Sequence, residues 1–161
     1  MRVGGRVGVW VAAVLGLALA GCRVVPVQAP DVAGVSNAYL VMPAPGSPAV
    51  LYLWARNPTP VADTILAVWV AGADSASAHG TMAMGNGMEH MMAIGAVAVP
   101  ARDTIRFAPG GMHVMVFGPP PTLHPGDSVQ VTVGFRRMGE VNAWATVITY
   151  AQVDSLVERG R

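Results

Sequence analysis

Short apolar runs alternate with turn-forming residues along most of the chain from residue 36 onward. The runs are rich in β-branched and aromatic residues, and most are followed by a segment rich in Pro, Gly, Asn or Asp. This pattern is typical of β-strands. The runs span residues 37–42, 49–55, 64–71, 104–107, 112–117, 129–135 and 141–150. Seven or more short strands at this spacing predict an all-β domain, either an antiparallel sandwich or a Greek-key barrel.

The bulky aromatic residues of the predicted strands form the predicted core, because large rings supply much of the buried apolar surface of a domain. They are Tyr39, Tyr52, Trp54, Trp69, Phe107, Phe117, Phe135 and Trp144. We expect them to pack against one another and to have no other role.

The first 21 residues have the features of an export signal. Arg2 and Arg6 precede an uncharged run, Val7 to Ala20, whose 14 residues are too few to span a membrane as a helix. The run ends in Leu19-Ala20-Gly21-Cys22, which resembles the lipobox of bacterial lipoproteins. The resemblance implies cleavage before Cys22 and acylation of this residue, the only cysteine of the chain. An ordinary secretory signal with an incidental cysteine is the alternative.

The chain is therefore divided into a signal peptide (1–21), a tether (22–35), a β-sandwich domain (36–150) and a C-terminal tail (151–161). A lipid on Cys22 would anchor the domain to a membrane on the extracytoplasmic side, in the periplasm or on the outer face. The sequence leaves the membrane leaflet open.

Composition and charge exclude several classes of function. Hydrophobic residues make up 53% of the chain, which is too many for a disordered protein, and ten basic residues against nine acidic ones do not suit a nucleic-acid binder. All ten basic residues are arginine, so Schiff-base and phosphate-loop lysines are excluded. The single cysteine excludes an internal disulfide and a cysteine-rich zinc site. No nucleophile–base pair stands out, so we expect no enzyme.

Methionine and histidine are concentrated in one part of the chain. Seven of the ten methionines lie between residues 82 and 115, and three of the four histidines lie in or beside that stretch. They are Met82, Met84, Met88, Met91, Met92, Met112 and Met115, with His79, His90 and His113. Residues 78–92 are rich in glycine and poor in branched side chains, so these methionines are not expected to be core filler.

The donor atoms in this stretch select a soft metal ion. Thioether sulfur and imidazole nitrogen suit Cu(I), whereas thioether sulfur offers little to zinc, magnesium, calcium or manganese. Glu89 is the only acidic residue between His79 and Ala101, which disfavours hard ions. A blue-copper centre needs a cysteine ligand, and the acylated Cys22 would not supply one. The sequence therefore predicts a Cu(I) site.

The segment His113-Val114-Met115 lies in a predicted strand. Alternate residues of a strand project to the same face about 6.6 Å apart, so His113 and Met115 can approach one ion while Val114 faces the core. We expect the site at one end or edge of the sandwich, on loops that the strands position.

The spacing of these residues resembles that of the periplasmic copper(I) chaperones that supply the CuA centre of cytochrome c oxidase (PCuAC-like proteins). Their motif is His, ten residues, Met, twenty-one residues, His, one residue, Met. Twenty-one residues separate Met91 from His113, and Met115 follows as the motif requires. Eleven residues rather than ten separate His79 from Met91, so His90 and Met92 remain alternatives to Met91. The resemblance covers roughly residues 36–150, including the turns at 56–58, 109–111 and 124–127.

The resemblance implies a cupredoxin-like Greek-key β-sandwich that binds one Cu(I) ion. It implies four ligands, which are His79, Met91, His113 and Met115. It also implies delivery of copper to the CuA centre, with an oxidase subunit or an assembly factor as the copper-accepting partner. A copper-scavenging or tolerance lipoprotein and a structural β-sandwich lipoprotein without metal are the alternatives.

The remaining soft residues of the glycine-rich segment have two interpretations. They are Met82, Met84, Met88 and His90. They could form a second, transient copper site, but a flexible loop that tolerates soft side chains is favoured, since methionine is common on adaptable surfaces. His124 precedes a Pro-Gly pair and is expected in a turn without metal, with Asp127 capping that turn.

Overall fold

The computed structural model describes residues 34–44, 46–83 and 89–153. These residues belong to one compact unit, Asp31–Arg161. The predicted signal peptide, Cys22, Met84 and Met88 lie outside the described residues.

Ten β-strands and one turn of 3₁₀ helix at Tyr150–Gln152 form the described part of the chain. The strands are β1 (Gly34–Val41), β2 (Ala49–Arg56), β3 (Asp63–Val70), β4 (Ser75–Ala83), β5 (Glu89–Ile94), β6 (Val97–Val99), β7 (Thr104–Phe107), β8 (His113–Phe117), β9 (Ser128–Phe135) and β10 (Gly139–Ile148). No helix in these ranges is long and apolar enough to cross a membrane. The prediction of an all-β domain is confirmed.

The strands form one sheet in the order β5-β4-β8-β2-β1-β10-β9-β3-β6, with β7 added beside β2. The pairing of β1 with β10 is parallel, and the other pairings are antiparallel. Most neighbours in the sheet are distant in sequence, as in a Greek-key topology. β5 therefore lies at one edge of the sheet and β6 at the other.

The core of the domain is mainly aliphatic, which corrects the prediction of an aromatic core. Phe107 and Phe135 are buried as expected, but Trp69 and Trp144 are 50% and 68% exposed. Phe117 is exposed as well, and Tyr39, Tyr52 and Trp54 are half-buried.

The reason for this exposure is strand alternation, since most positions that face inward carry Val, Leu or Ala and most of the aromatic residues fall between them. In β2, for example, the buried residues are Ala49, Leu51, Leu53 and Ala55.

Three strands were not predicted from the sequence, namely β4, β5 and β6. β4 and β5 form the hairpin that carries the glycine- and methionine-rich segment. Three small or aliphatic side chains of this hairpin pack against the core, namely Ala76, Ala78 and Ile94. Strand propensity is low in such a segment, so its strand structure depends on pairing with β8 and on core contact.

Two buried polar residues tie strands and turns together. The Asn57 side chain donates hydrogen bonds to the carbonyl oxygens of Val61 and Pro100, at 2.8 and 3.1 Å, and accepts one from the backbone N–H of Thr59. Asp63, which is 4% exposed, accepts hydrogen bonds from three backbone N–H groups. Both residues are fully hydrogen-bonded, as buried polar groups generally are.

Candidate metal site

The predicted copper ligands lie on three adjacent strands at one edge of the sheet. β4 is paired with β5 on one side and with β8 on the other. His79 is directly opposite His113, Ser77 is opposite Met115, and Thr81 is opposite Met91. Directly opposed residues of a sheet share a face, and so do alternate residues of one strand. His79, Met91, His113 and Met115 are therefore on the same face.

The two histidines face each other across β4 and β8. The ring centroids of His79 and His113 are 6.0 Å apart, and the planes are stacked at 21°. Both rings and Met115 are half-buried, whereas Met91 is 59% exposed. The opposite face of β8 packs inward, with Val114 and Val116 fully buried as expected. The four residues therefore lie on the solvent-facing side of this edge of the sheet, and the opposite side of β8 packs against the core.

Met91 occupies the outermost position of the four. It is opposite Thr81, so it lies diagonally from His79, about 7–8 Å away between Cα atoms, on the side remote from His113. Met115 lies diagonally from His79 in the other direction, since its partner is Ser77. The fold thus places His79, His113 and Met115 at neighbouring positions of β4 and β8, and Met91 on the edge strand β5.

The two alternatives to Met91 occupy strand positions of the opposite parity. Met92 is opposite Gly80 in the register, and His90 is opposite Met82. Both positions are one residue away from Met91, so the backbone alternation assigns them to the other face of β5.

The His113 ring is fixed by a backbone carbonyl. Its Nδ1 lies 3.1 Å from the carbonyl oxygen of Gly111. A carbonyl oxygen only accepts hydrogen bonds, so Nδ1 carries the proton and donates it. In the neutral ring the lone pair is then on Nε2, which is free to bind a metal ion.

The His79 ring contacts a hydroxyl group instead. Its Nε2 lies 2.9 Å from Oγ of Ser77, which can donate or accept. Burial lowers the pKa of His79, and the neighbouring charge of protonated His113 lowers this pKa further. Both effects favour the neutral imidazole, which is the form that binds metals.

The donor set beyond these histidines is sulfur. Within residues 34–44, 46–83 and 89–153, no group of three or more His, Cys, Asp or Glu side chains could hold a metal ion. A site that uses both His79 and His113 would draw its further ligands from Met115 and Met91. Two imidazoles with thioethers fit a soft monovalent ion.

The expectation that this site lies at an edge agrees with the sheet order, but the expectation that it lies on loops is wrong. His79, Met91 and the pair His113 and Met115 are all on strands. The sequence contained a signal for this, since Ala76 and Ala78 alternate with Ser77 and His79 in the period of a half-buried strand.

The fourth histidine lies in a turn, as predicted. His124 is exposed, and its backbone N–H donates a hydrogen bond of 2.8 Å to the Asp127 carboxylate. The Nδ1 of His124 is 3.9 Å from the same carboxylate. This arrangement is a capped turn.

The chain is similar in structure to three solved domains. An apo PCuAC domain from PmoF1 is 29% identical, with a TM-score of 0.57, covering 71% of this chain and 92% of that one. A copper-bound PCuAC domain from PmoF2 is 24% identical, with a TM-score of 0.61 and coverage of 73% and 96%. The Cu(I) form of DR1885 from Deinococcus radiodurans is 24% identical, with a TM-score of 0.56 and coverage of 80% and 83%.

These likenesses confirm the predicted fold and the resemblance to PCuAC-type domains. No curated protein matches the chain significantly. Residues 34–147, well over half of the sequence, match a family described as "Putative lipoprotein LpqE-like". The chain belongs to the LpqE-like family.

Proposed function

We propose that this protein is an extracytoplasmic Cu(I) carrier that delivers its ion to the CuA centre of cytochrome c oxidase. The observation that carries the proposal is the stacked pair of His79 and His113, flanked by Met115 and Met91 on the same face of three paired strands. The ion is cargo, and these four side chains are its proposed ligands.

The chemistry of this donor set suits a carrier. All four donors are neutral, so binding a monovalent ion leaves the site with a single positive charge. Thioether sulfur favours the reduced state, and the imidazole nitrogens add affinity. Met91 is more than half exposed, so an acceptor can replace its sulfur first and the remaining ligands afterwards. Stepwise exchange would let copper pass to a partner without being released into solvent.

The location proposed for this carrier is the extracytoplasmic side of a membrane. Support comes from the lipobox-like Leu19-Ala20-Gly21-Cys22 and from membership in a family described as lipoproteins. The proposed anchor is a lipid on Cys22, joined to the domain by the tether. Palmitate incorporation in cells tests this, and loss of the label in Cys22→Ala is the expected result.

Copper binding is tested by competition with a Cu(I) chelator. Wild type is expected to bind one Cu(I), and His113→Ala is expected to lose most of its affinity. His124→Ala is the matched control, because His124 is exposed in a capped turn away from the site. If the curves of wild type and His113→Ala coincide, the carrier function is excluded and a structural lipoprotein remains.

The choice of sulfur on β5 is tested by a second pair of variants. Met91 and Met92 are adjacent and similarly exposed, at 59% and 50%, but are assigned to opposite faces. Met91→Ala is expected to weaken Cu(I) binding, and Met92→Ala is expected to leave it unchanged. The reverse result would make Met92 the ligand.

Delivery is tested separately from binding. A strain that lacks the gene is expected to have incomplete CuA centres at limiting copper, measured by the CuA absorbance of the isolated oxidase. Full CuA occupancy in that strain, together with copper sensitivity, would identify a scavenging or tolerance protein instead.

A further inference from the structure

Ser77 lies inside the proposed copper site without being one of its predicted ligands. It is half-buried, it is two residues before His79 on the same face of β4, and it is directly opposite Met115 on β8. Its Oγ is 2.9 Å from Nε2 of His79. This contact joins two side chains on the face of β4 that carries the proposed ligand His79.

The role of this contact follows from a comparison with His113. Histidines that bind metals generally donate their other ring N–H to a nearby oxygen, which fixes the tautomer and the ring orientation. His113 has this arrangement, since its Nδ1–H donates to the Gly111 carbonyl and leaves Nε2 free. His79 has an oxygen beside Nε2 instead, so the same arrangement leaves Nδ1 free.

We propose that Ser77 is a positioning residue that accepts a hydrogen bond from Nε2–H of His79. His79 then presents Nδ1 to Cu(I), while His113 presents Nε2. This inference rests on the proposed function, because it assigns a role in copper binding to a residue beside the ligands.

If Ser77 is the donor of this hydrogen bond instead of the acceptor, the predicted effect of removing its hydroxyl is reversed. If Ser77 donated its proton to Nε2, the His79 proton would be on Nδ1, and the ring would have no free lone pair. Copper could then bind only after the Ser77 contact broke, so removal of the hydroxyl would tighten binding. The sign of the effect of Ser77→Ala therefore separates the two arrangements.

The experiment combines Cu(I) competition with nitrogen NMR of the histidine rings, on the full chain in detergent. Three variants are compared with wild type: Ser77→Ala, Ser77→Thr and Ser75→Ala. Ser77→Thr keeps the hydroxyl. Ser75→Ala is the matched control, because Ser75 is on the same face of β4 but is opposite Phe117, away from the histidines.

Wild type is expected to show the Nε2–H tautomer of His79 before loading and a metal-shifted Nδ1 after loading. Ser77→Ala is expected to lose affinity by about 10- to 100-fold, the usual effect of removing a group that orients a metal-binding histidine. Ser77→Thr is expected to restore most of the affinity, and Ser75→Ala to match wild type.

The possible failures are distinguishable. If wild type binds Cu(I) but Ser77→Ala binds equally well or more tightly, or if loading shifts Nε2 of His79, the role of Ser77 is refuted and the carrier function stands. If wild type binds no Cu(I), the carrier function and the role of Ser77 are both refuted.

Discussion

Replacement of Asp63 by alanine is expected to lower the free energy of unfolding by about 3–4 kcal/mol. The buried carboxylate accepts hydrogen bonds from the backbone N–H groups of Arg137 and Met138, both at 3.0 Å, which join the start of β3 to the turn between β9 and β10. A hydrogen bond to a charged group contributes about 1.5–3 kcal/mol, so two such bonds give about 3–6 kcal/mol. The cost of burying the carboxylate offsets part of this sum.

The assay is urea unfolding followed by tryptophan fluorescence at pH 7. Asp103→Ala is the matched control, because Asp103 is exposed and, among the described residues, the hydrogen bond to its carboxylate comes from the backbone N–H of the next residue, Thr104. Asp63 makes the equivalent local bond to Thr64 in addition to its two distant ones. The control is expected to lose about 1 kcal/mol or less. Equal losses in the two variants would refute the importance of the distant bonds.

The same residue predicts a pH dependence of stability. Burial raises the pKa of Asp63, but the N–H groups of Thr64, Met138 and Arg137, with the Arg137 charge, outweigh it and hold this pKa below its usual 3.8. A depressed pKa stabilises the folded state above about pH 4, and this contribution disappears as the pH falls through the folded pKa. The stability difference between wild type and Asp63→Asn is therefore expected to shrink below pH 4. A constant difference down to pH 2 would contradict this reasoning.

Two further substitutions test the packing around the sheet. Asn57→Ala removes the donor that bonds to the carbonyl oxygens of Val61 and Pro100, and it is expected to cost about 2–4 kcal/mol in thermal unfolding; a loss below 1 kcal/mol would show that water replaces the amide. Gly134→Ala would place a Cβ 2.9 Å from the Trp69 ring, so this ring is expected to move, with a loss of about 1–3 kcal/mol and a changed fluorescence spectrum. In a Trp69→Phe background the spectral change should vanish, and its persistence would point to another tryptophan.

The strands rich in β-branched residues were predictable because their local propensity and their tertiary environment agree. β7 was predicted with its observed bounds, and β2 and β9 each differ from the prediction by one residue. The β4–β5 hairpin was not predictable in this way. Most of its strand residues are Gly, Ala, Ser or Met, whose strand preference is weak. They adopt strands because β8 offers a pairing edge and the core offers contact.

The core prediction failed for a different reason. Hydrophobicity alone favours burial of Trp69 and Trp144, but strand alternation overrides it, since their neighbours Val68, Val70 and Ala145 occupy the inward positions. Where only one face of a strand packs against the core, a single-residue shift of register moves every side chain to the other face. Whether a residue is buried therefore depends more on its odd or even position along the strand than on the size of its side chain.

The sequence by itself determined the chemistry of the candidate site, because donor softness is a property of the residue type. A group of methionine and histidine side chains without a cysteine ligand favours Cu(I) in any fold that brings these side chains together. Only the tertiary structure decided which of these residues are neighbours. His79 stands opposite His113 because β4 pairs with β8, and Met91 rather than Met92 shares their face because β5 pairs with β4 in one register. Pairing partner and register are long-range properties, set by the burial of the whole sheet, and no local segment of the sequence contains them.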